Sequence, residues 1–206
     1  MVKWIFFDVG STLVDETQAY DHRARDMVNG TGITFEEFDR MCIVLASRGL
    51  DGNSAAIQYF GLEKTPWHSE DEFPFPDARS TLEILCSKGY KLGIIANQNP
   101  GLEKRLENWG LRQYFEVIAA SAEMGYAKPD KEIFESACKL AGCTAQECVM
   151  VGDRLDNDII PAKAFGMKTI WVKNGLAKYQ NEDLGKGVAD HQIHSLSELL
   201  YLHYFI

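Results

Sequence analysis

The chain has 206 residues, of which 46% are apolar and 25% charged, a composition typical of a globular protein with one sizeable core and room for an insert. Its net charge of −9 argues against nucleic acid or an anionic membrane as the main partner. No apolar run reaches the roughly 18 residues that a membrane span needs, and Asp8 interrupts the apolar start too early for a signal peptide. The 5 cysteines form no C-x-x-C pair, so we expect reduced thiols and a cytoplasmic protein.

Short apolar runs along the chain predict strands that are buried on both faces of a sheet. The runs cover residues 2–7, 91–96, 115–119, 148–151 and 168–172. Helical patterns lie between them at residues 78–88, 102–109 and 131–141, and each pattern stops at a glycine. Strands that alternate with helices predict an α/β fold with a doubly wound, Rossmann-like parallel sheet.

A stretch near the amino terminus interrupts this alternation. It contains helix-like segments at residues 19–28, 35–46 and 54–60 and no obvious core strand. The sequence Phe-Pro-Phe-Pro-Asp at residues 73–77 then predicts a stiff return link. We predict a helical cap at residues 16–74, an α/β core formed by residues 1–15 with 75–206, and a closing helix over 196–206.

Polar residues follow the predicted strands at the points where ligands bind in open parallel sheets. They are Asp8, Asn97, Lys128 and the acidic segment at residues 152–158. Several carboxylates in one crevice need a compensating charge, and oxygen ligands suit Mg²⁺. A lysine beside a metal and an acid fits phosphoryl transfer, whereas neither G-x-G-x-x-G nor G-x-x-x-x-G-K-[ST] is present. Each residue alone also fits a purely structural role, so the hypothesis depends on their order and spacing together.

Four motifs in this order resemble the haloacid dehalogenase (HAD) superfamily of hydrolases. D-x-D-x-[TV]-[LV] is similar to residues 8–13 (DVGSTL), and a strand ending in Ser or Thr before Asn is similar to residues 94–97 (IIAN). K-P-x-x-x-[FY] is similar to residues 128–134 (KPDKEIF), and G-D-x-x-x-x-D matches residues 152–158 (GDRLDND). The resemblance covers essentially the whole chain, including a helical cap between the first two motifs.

The resemblance implies a hydrolase that acts on a small phosphorylated metabolite through an aspartyl-phosphate. Asp8 is then the nucleophile, and Lys128 stabilises the charge on Asp8 and on the phosphoryl group. The implied Mg²⁺ ligands are Asp8, the backbone carbonyl of Gly10, Asp153 and Asp158. The implied contacts on the substrate side are Thr12 and Asn97. Nothing in the sequence indicates an oligomeric state.

Two positions depart from the family pattern. Gly10 replaces the aspartate that protonates the leaving group and later activates water, and Ala96 replaces a Ser or Thr hydroxyl that binds a phosphoryl oxygen. General acid–base help is worth about 10²–10⁴ in rate, and a hydrogen bond to a charged group about 1.5–3 kcal/mol. We therefore expect an enzyme whose activity is weakened or restricted to particular substrates.

Three explanations of the missing acid stay open. In the first, which we favour, the substrate needs little leaving-group protonation, as in acyl or aryl phosphates, or an acid comes from the cap, where Asp15, Glu16 and His22 are candidates. In the second, the chemistry is at carbon, since dehalogenases also lack this acid. In the third, our main alternative, the protein binds a metal and an anion with little or no turnover.

Chemistry at carbon is the least favoured of the three. Dehalogenases of the family dispense with the metal, whereas Asp153 and Asp158 are both present here. Phosphonate cleavage in the family uses a lysine from the cap, and Lys64 is the only lysine between Asp15 and Pro76.

Overall fold

A computed structural model describes residues 2–202, and its main feature is a parallel sheet. In chain order the strands are β1 (Trp4–Phe7), β2 (Val14–Asp15), β3 (Phe73–Pro74), β4 (Lys91–Ala96), β5 (Phe115–Ala120), β6 (Cys148–Gly152), β7 (Lys168–Val172) and β8 (His191–Ile193). The order β5-β4-β1-β6-β7-β8 forms a 6-stranded sheet, in which every neighbouring pair is parallel. The predicted doubly wound α/β fold is confirmed.

The central strand β1 shows why this sheet needs covering on both faces. All of its residues are buried, and successive side chains point to opposite sides of a sheet. Ile5 and Phe7 accordingly belong to one apolar cluster, and Trp4 and Phe6 to a second. Burial on both faces explains the unbroken apolar run in the sequence.

The helices are α1 (Thr17–Val28), α2 (Phe35–Ser47), α3 (Gly52–Phe60), α4 (Ala78–Ser87), α5 (Leu102–Asn108), α6 (Ser121–Met124), α7 (Lys131–Ala141) and α8 (Ile160–Phe165). Helix α4 packs into the cluster of Ile5 through Leu82 and Leu85. Helix α7 packs into the other cluster through Ile133 and Phe134. The two faces of the sheet are therefore covered by different helices.

The closing helix predicted over 196–206 is observed as a 3₁₀ helix at Leu196–Tyr201. The last residues of that prediction, 203–206, lie outside the described part of the chain. Within residues 2–202, no helix is both long enough and apolar enough to cross a membrane.

Helices α1, α2 and α3 share a separate apolar cluster that includes Met27, Phe38, Cys42 and Ala56. Helix α2 begins at a capping box, in which Thr34 and Glu37 satisfy each other's backbone N–H groups. These helices lie between β2 and β3, which pair antiparallel with each other. The chain thus leaves for the cap and returns from it along two adjacent strands.

The order of the strands reverses beside β1. From β1 the chain continues to β4 and β5 on one side of the sheet, and then returns to β6 on the other side. Such a reversal opens a crevice at the carboxyl ends of the strands, where ligands of open α/β sheets bind. Here the crevice lies between the ends of β1 and β6.

Candidate active site

An acidic cluster lies at this crevice. Asp8 follows β1, and Asp153 and Asp158 follow β6. The three side chains can each offer an oxygen such that all three oxygens lie within 4.8 Å of one another. The backbone N–H of Asp8 donates to the carbonyl of Val151 at 2.9 Å, which keeps the end of β1 fixed against β6. The sheet itself therefore sets the spacing of these carboxylates.

Lys128 lies between two of these acids. Its Nζ is 2.6 Å from Asp8 Oδ1 and 2.5 Å from Asp158 Oδ1, and its side chain is only 2% exposed. Burial alone would lower the pKa of the lysine, but the charges of Asp158 and Asp8 outweigh it and raise that pKa. Lys128 is therefore a fixed positive charge at Asp8.

Asn97, at the end of β4, fixes the backbone of Lys128. Its Nδ2 donates to the carbonyl of Lys128 at 2.8 Å, and its Oδ1 accepts from the N–H of Lys128 at 2.7 Å. The Lys128–Pro129 peptide bond is cis. The side-chain amide of Asn97 thus holds the loop that places the lysine beside Asp8.

Asp158 is held by the turn that follows β6. The backbone N–H of Arg154 donates to Asp158 Oδ2 at 2.9 Å. Gly152 leaves the room for this carboxylate, because a Cβ at that position would lie 2.4 Å from Asp158 Oδ2. Burial raises the pKa of Asp158 to about 6, although Lys128 acts in the opposite direction. A glycine at the end of the strand is thus required by the packing of the acid.

Asp153 is the acid whose charge is least compensated. Among residues 2–202 it makes no ion pair within 4 Å, and Thr12 Oγ1 contacts its Oδ1 at 3.5 Å. Burial and the neighbouring charges of Asp158 and Asp8 raise its pKa well above the ordinary range. A buried carboxylate without a cation, beside two further carboxylates, is a donor set that suits a hard divalent ion.

Another carboxyl group lies beside Gly10. A Cβ built on Gly10 would be 2.4 Å from Glu16 Oε1 and 2.5 Å from Glu16 Oε2. The turn between them includes Ser11, which has a φ of 53° and whose Oγ donates to Glu16 Oε2 at 3.4 Å. Burial and the charges of Asp8 and Glu72 raise the pKa of Glu16 to about 8.

The other two candidate acids contact other partners. Asp15 Oδ1 accepts from the N–H of Thr17 at 2.9 Å. His22 Nδ1 lies 2.9 Å from Asp71 Oδ2, and its ring stacks on His68. Of the three sequence candidates, the structure therefore brings only Glu16 to Gly10.

Comparison with known proteins identifies the family of the chain. The model of the haloacid dehalogenase-like hydrolase family matches residues 5–172. The chain belongs to this family. The match runs from β1 to the end of β7, so it includes all the residues of the acidic cluster and the cap.

Curated relatives and solved structures match nearly the whole length of this chain. A glyceraldehyde 3-phosphate phosphatase of Methanothermobacter thermautotrophicus is 30% identical, with 97% of this chain and 100% of the relative covered. A pyrimidine 5′-nucleotidase of Escherichia coli is also 30% identical, over 97% of this chain and 98% of the relative. The crystal structure of an HAD phosphatase from Thermococcus onnurineus has a TM-score of 0.66 at 26% identity, with 98% and 97% of the two chains covered.

A further crevice, of about 710 Å³, opens beside Glu16 and Asn97. Glu16 and Tyr20 line it from the cap side, and Asn97 and Arg105 line it from the core. On another side of the site, Arg154 Nη1 contacts Asp51 Oδ2 of the cap at 2.9 Å. The sequence motifs gave no signal for this ion pair, because it depends on how the cap sits over the core.

Proposed function

We propose that this HAD protein is a Mg²⁺-dependent phosphatase that hydrolyses a small phosphorylated metabolite through an aspartyl-phosphate on Asp8. The observation that carries the proposal is the pairing of Asp8 with a buried lysine inside a cluster of carboxylates. The names of the relatives support the choice of a phosphate ester, since they include glyceraldehyde 3-phosphate phosphatases and a phosphoserine phosphatase.

In this mechanism Lys128 contacts Oδ1 of Asp8, and we assign Oδ2 to the attack on phosphorus. A bond forms between Asp8 and phosphorus while the bond from phosphorus to the leaving oxygen breaks. Lys128 balances the charge at Asp8 and at the transferred group, as phosphoryl transfer requires. Water then attacks the phosphorus, which releases phosphate and restores the Asp8 carboxylate.

The residues present fit a magnesium ion. Asp8, Asp153 and Asp158, with the backbone carbonyl of Gly10, would hold it, and Asp153 has no other cationic partner among residues 2–202. When bound, Mg²⁺ would neutralise charge on the phosphoryl oxygens.

Three further residues bear on substrate binding. The contacts of Asn97 with the Lys128 backbone and of Thr12 with Asp153 support a role in which these residues position side chains that meet the substrate. Ala96 is buried and carries no hydroxyl, so one hydrogen bond to a phosphoryl oxygen, worth about 1.5–3 kcal/mol, is missing. We propose that this loss restricts the substrates that the enzyme turns over well.

The test is a phosphatase assay of the full chain with Mg²⁺. The panel contains glyceraldehyde 3-phosphate, a pyrimidine 5′-nucleotide, phosphoserine, glycerol 3-phosphate, acetyl phosphate and p-nitrophenyl phosphate. We expect phosphate release that stops with EDTA and with Asp8→Asn. The control Asp183→Asn makes the same change at an exposed surface residue and should keep full activity.

Each contrary result has a defined meaning. No turnover on any substrate, with Mg²⁺ binding retained, would contradict the phosphatase proposal and favour a metal- and anion-binding protein. Turnover that survives Asp8→Asn would contradict the nucleophile. Halide release from a haloacid without metal would indicate chemistry at carbon.

A further inference from the structure

The volume that a side chain at position 10 would occupy is filled from elsewhere in the chain. Both carboxylate oxygens and the Cδ of Glu16 lie within 2.6 Å of the ideal Cβ position of Gly10. These are the three nearest heavy atoms to that position. A side chain at residue 10 and the carboxyl group of Glu16 therefore compete for the same space.

The backbone at Gly10 does not itself demand a glycine. Gly10 is not among the glycines with a positive φ, whereas Gly30 and Gly32 are. An L side chain could follow this backbone without the strain of the left-handed region. Glu16, rather than a conformational need, accounts for the glycine.

Glu16 also lines open space beside the proposed site. It lines the crevice of about 710 Å³ together with Asn97, and it is partly buried. In the described part of the chain it makes no ion pair within 4 Å, and the hydrogen bond from Ser11 Oγ is long at 3.4 Å. No neighbour fixes this carboxyl group tightly, so it is available to a bound substrate.

We propose that Glu16 is the proton-transfer residue of this enzyme and carries out the role that the family assigns to an acid at position 10. This inference rests on the proposed phosphatase function. In the first step the bond between Asp8 Oδ2 and phosphorus forms, the bond to the leaving oxygen breaks, and that oxygen takes the proton of the Glu16 carboxyl group. In the second step water attacks phosphorus, Glu16 takes a proton from that water, and the Asp8–phosphorus bond breaks.

Glu16→Gln tests the proposal because it keeps the shape and removes the transferable proton. On an alkyl phosphate that the wild type hydrolyses, we expect kcat/KM to fall by about 10²–10⁴-fold. On p-nitrophenyl phosphate, whose leaving group needs little protonation, kcat/KM should fall by less than about tenfold. Because the second step also slows, Glu16→Gln should release p-nitrophenolate in a burst followed by a slow steady state.

Two further variants separate a chemical role from a structural one. Asp15→Asn makes the same carboxyl-to-amide change one residue away, at a side chain that faces Thr17, and should keep both activities. Glu16→Ala empties the space beside Gly10, and adding Gly10→Asp to it puts a carboxyl group back. We expect the double variant to recover at least about tenfold in alkyl-phosphate kcat/KM over Glu16→Ala, within the range of general acid–base help.

The outcomes distinguish this inference from the function on which it rests. Equal losses on both phosphate classes in Glu16→Gln, with no recovery in the double variant, would make Glu16 a structural residue and overturn the inference. Unchanged alkyl-phosphate hydrolysis in Glu16→Gln would overturn it as well, while Asp8-dependent turnover of the wild type would leave the phosphatase function standing. A wild type without turnover on the whole panel would overturn both.

Discussion

Replacing Lys128 by methionine should destabilise the fold, in addition to any effect on catalysis. Methionine fills nearly the same volume, so the change removes the charge and little of the packing. Lys128 contacts Asp8 and Asp158 at 2.6 and 2.5 Å, and the side chains of Lys128 and Asp158 are 2% and 1% exposed. The variant would leave these carboxylates, with Asp153, in a buried cluster that has lost its cation.

The size of the effect follows from the burial of the pairs. Removing one partner of a buried ion pair costs about 3–5 kcal/mol, because the remaining charge has no compensation. With a urea m value of about 2–3 kcal/mol/M for a chain of this size, a loss of about 4 kcal/mol lowers the unfolding midpoint by about 1.3–2 M.

The assay is urea unfolding of the wild type and of Lys128→Met, monitored by circular dichroism. The buffer contains EDTA, so that no divalent ion compensates the charge of the carboxylates. Lys131→Met is the matched control, because it makes the same substitution at an exposed ion pair. The Lys131 side chain is 70% exposed, and its Nζ lies 3.9 Å from Glu135 Oε1 on α7. The control should stay within about 0.5 kcal/mol of the wild type. If Lys128→Met also unfolds within about 1 kcal/mol of the wild type, the argument from an uncompensated buried charge is wrong.

Three other substitutions test separate features of the structure. Gly152→Ala places a Cβ 2.4 Å from Asp158 Oδ2 and should lower the free energy of unfolding by about 1–3 kcal/mol through overpacking. We also expect a lower kcat on the preferred phosphate, and an unchanged kcat would contradict a fixed position of Asp158. Asn97→Ala leaves the backbone N–H and carbonyl of Lys128 without their side-chain partner. It should lower the free energy of unfolding in urea by about 1–3 kcal/mol and should also lower kcat. Thr34→Ala removes the capping box of α2 and should lower stability by about 0.5–2 kcal/mol while kcat stays unchanged, as thermal unfolding and a phosphatase assay would show.

The strands of the core could be predicted because burial on both faces produces a strong local pattern. Residues 91–96 are an apolar run that ends at Asn97, and β4 has these bounds. The strand β8 was missed. It consists of His191–Ile193, only one of its residues is buried, and a polar strand at the edge of a sheet has no apolar run to mark it.

The acidic site could be predicted in part. The rule that ligands bind at strand ends is enough to bring Asp8 near Asp158, because both follow strands that are neighbours in the sheet. The same rule does not show that Asn97 binds the backbone of Lys128, since that contact depends on the conformation of the loop after β5. Nor does it select Glu16 from the candidate acids, because that choice depends on the path of the turn through Ser11.

The pairing of β2 with β3 has a consequence for how such an enzyme could change. Because Val14 lies opposite Pro74, the chain enters and leaves the intervening segment at adjacent positions, and a segment whose ends lie so close together can be exchanged without rebuilding the sheet. Glu16 lies just after the first of these two positions, within the exchangeable segment, whereas Asp8 and Lys128 lie outside it. In a chimera with the segment of another relative, the proposed acid would therefore be exchanged together with Tyr20, which lines the same crevice.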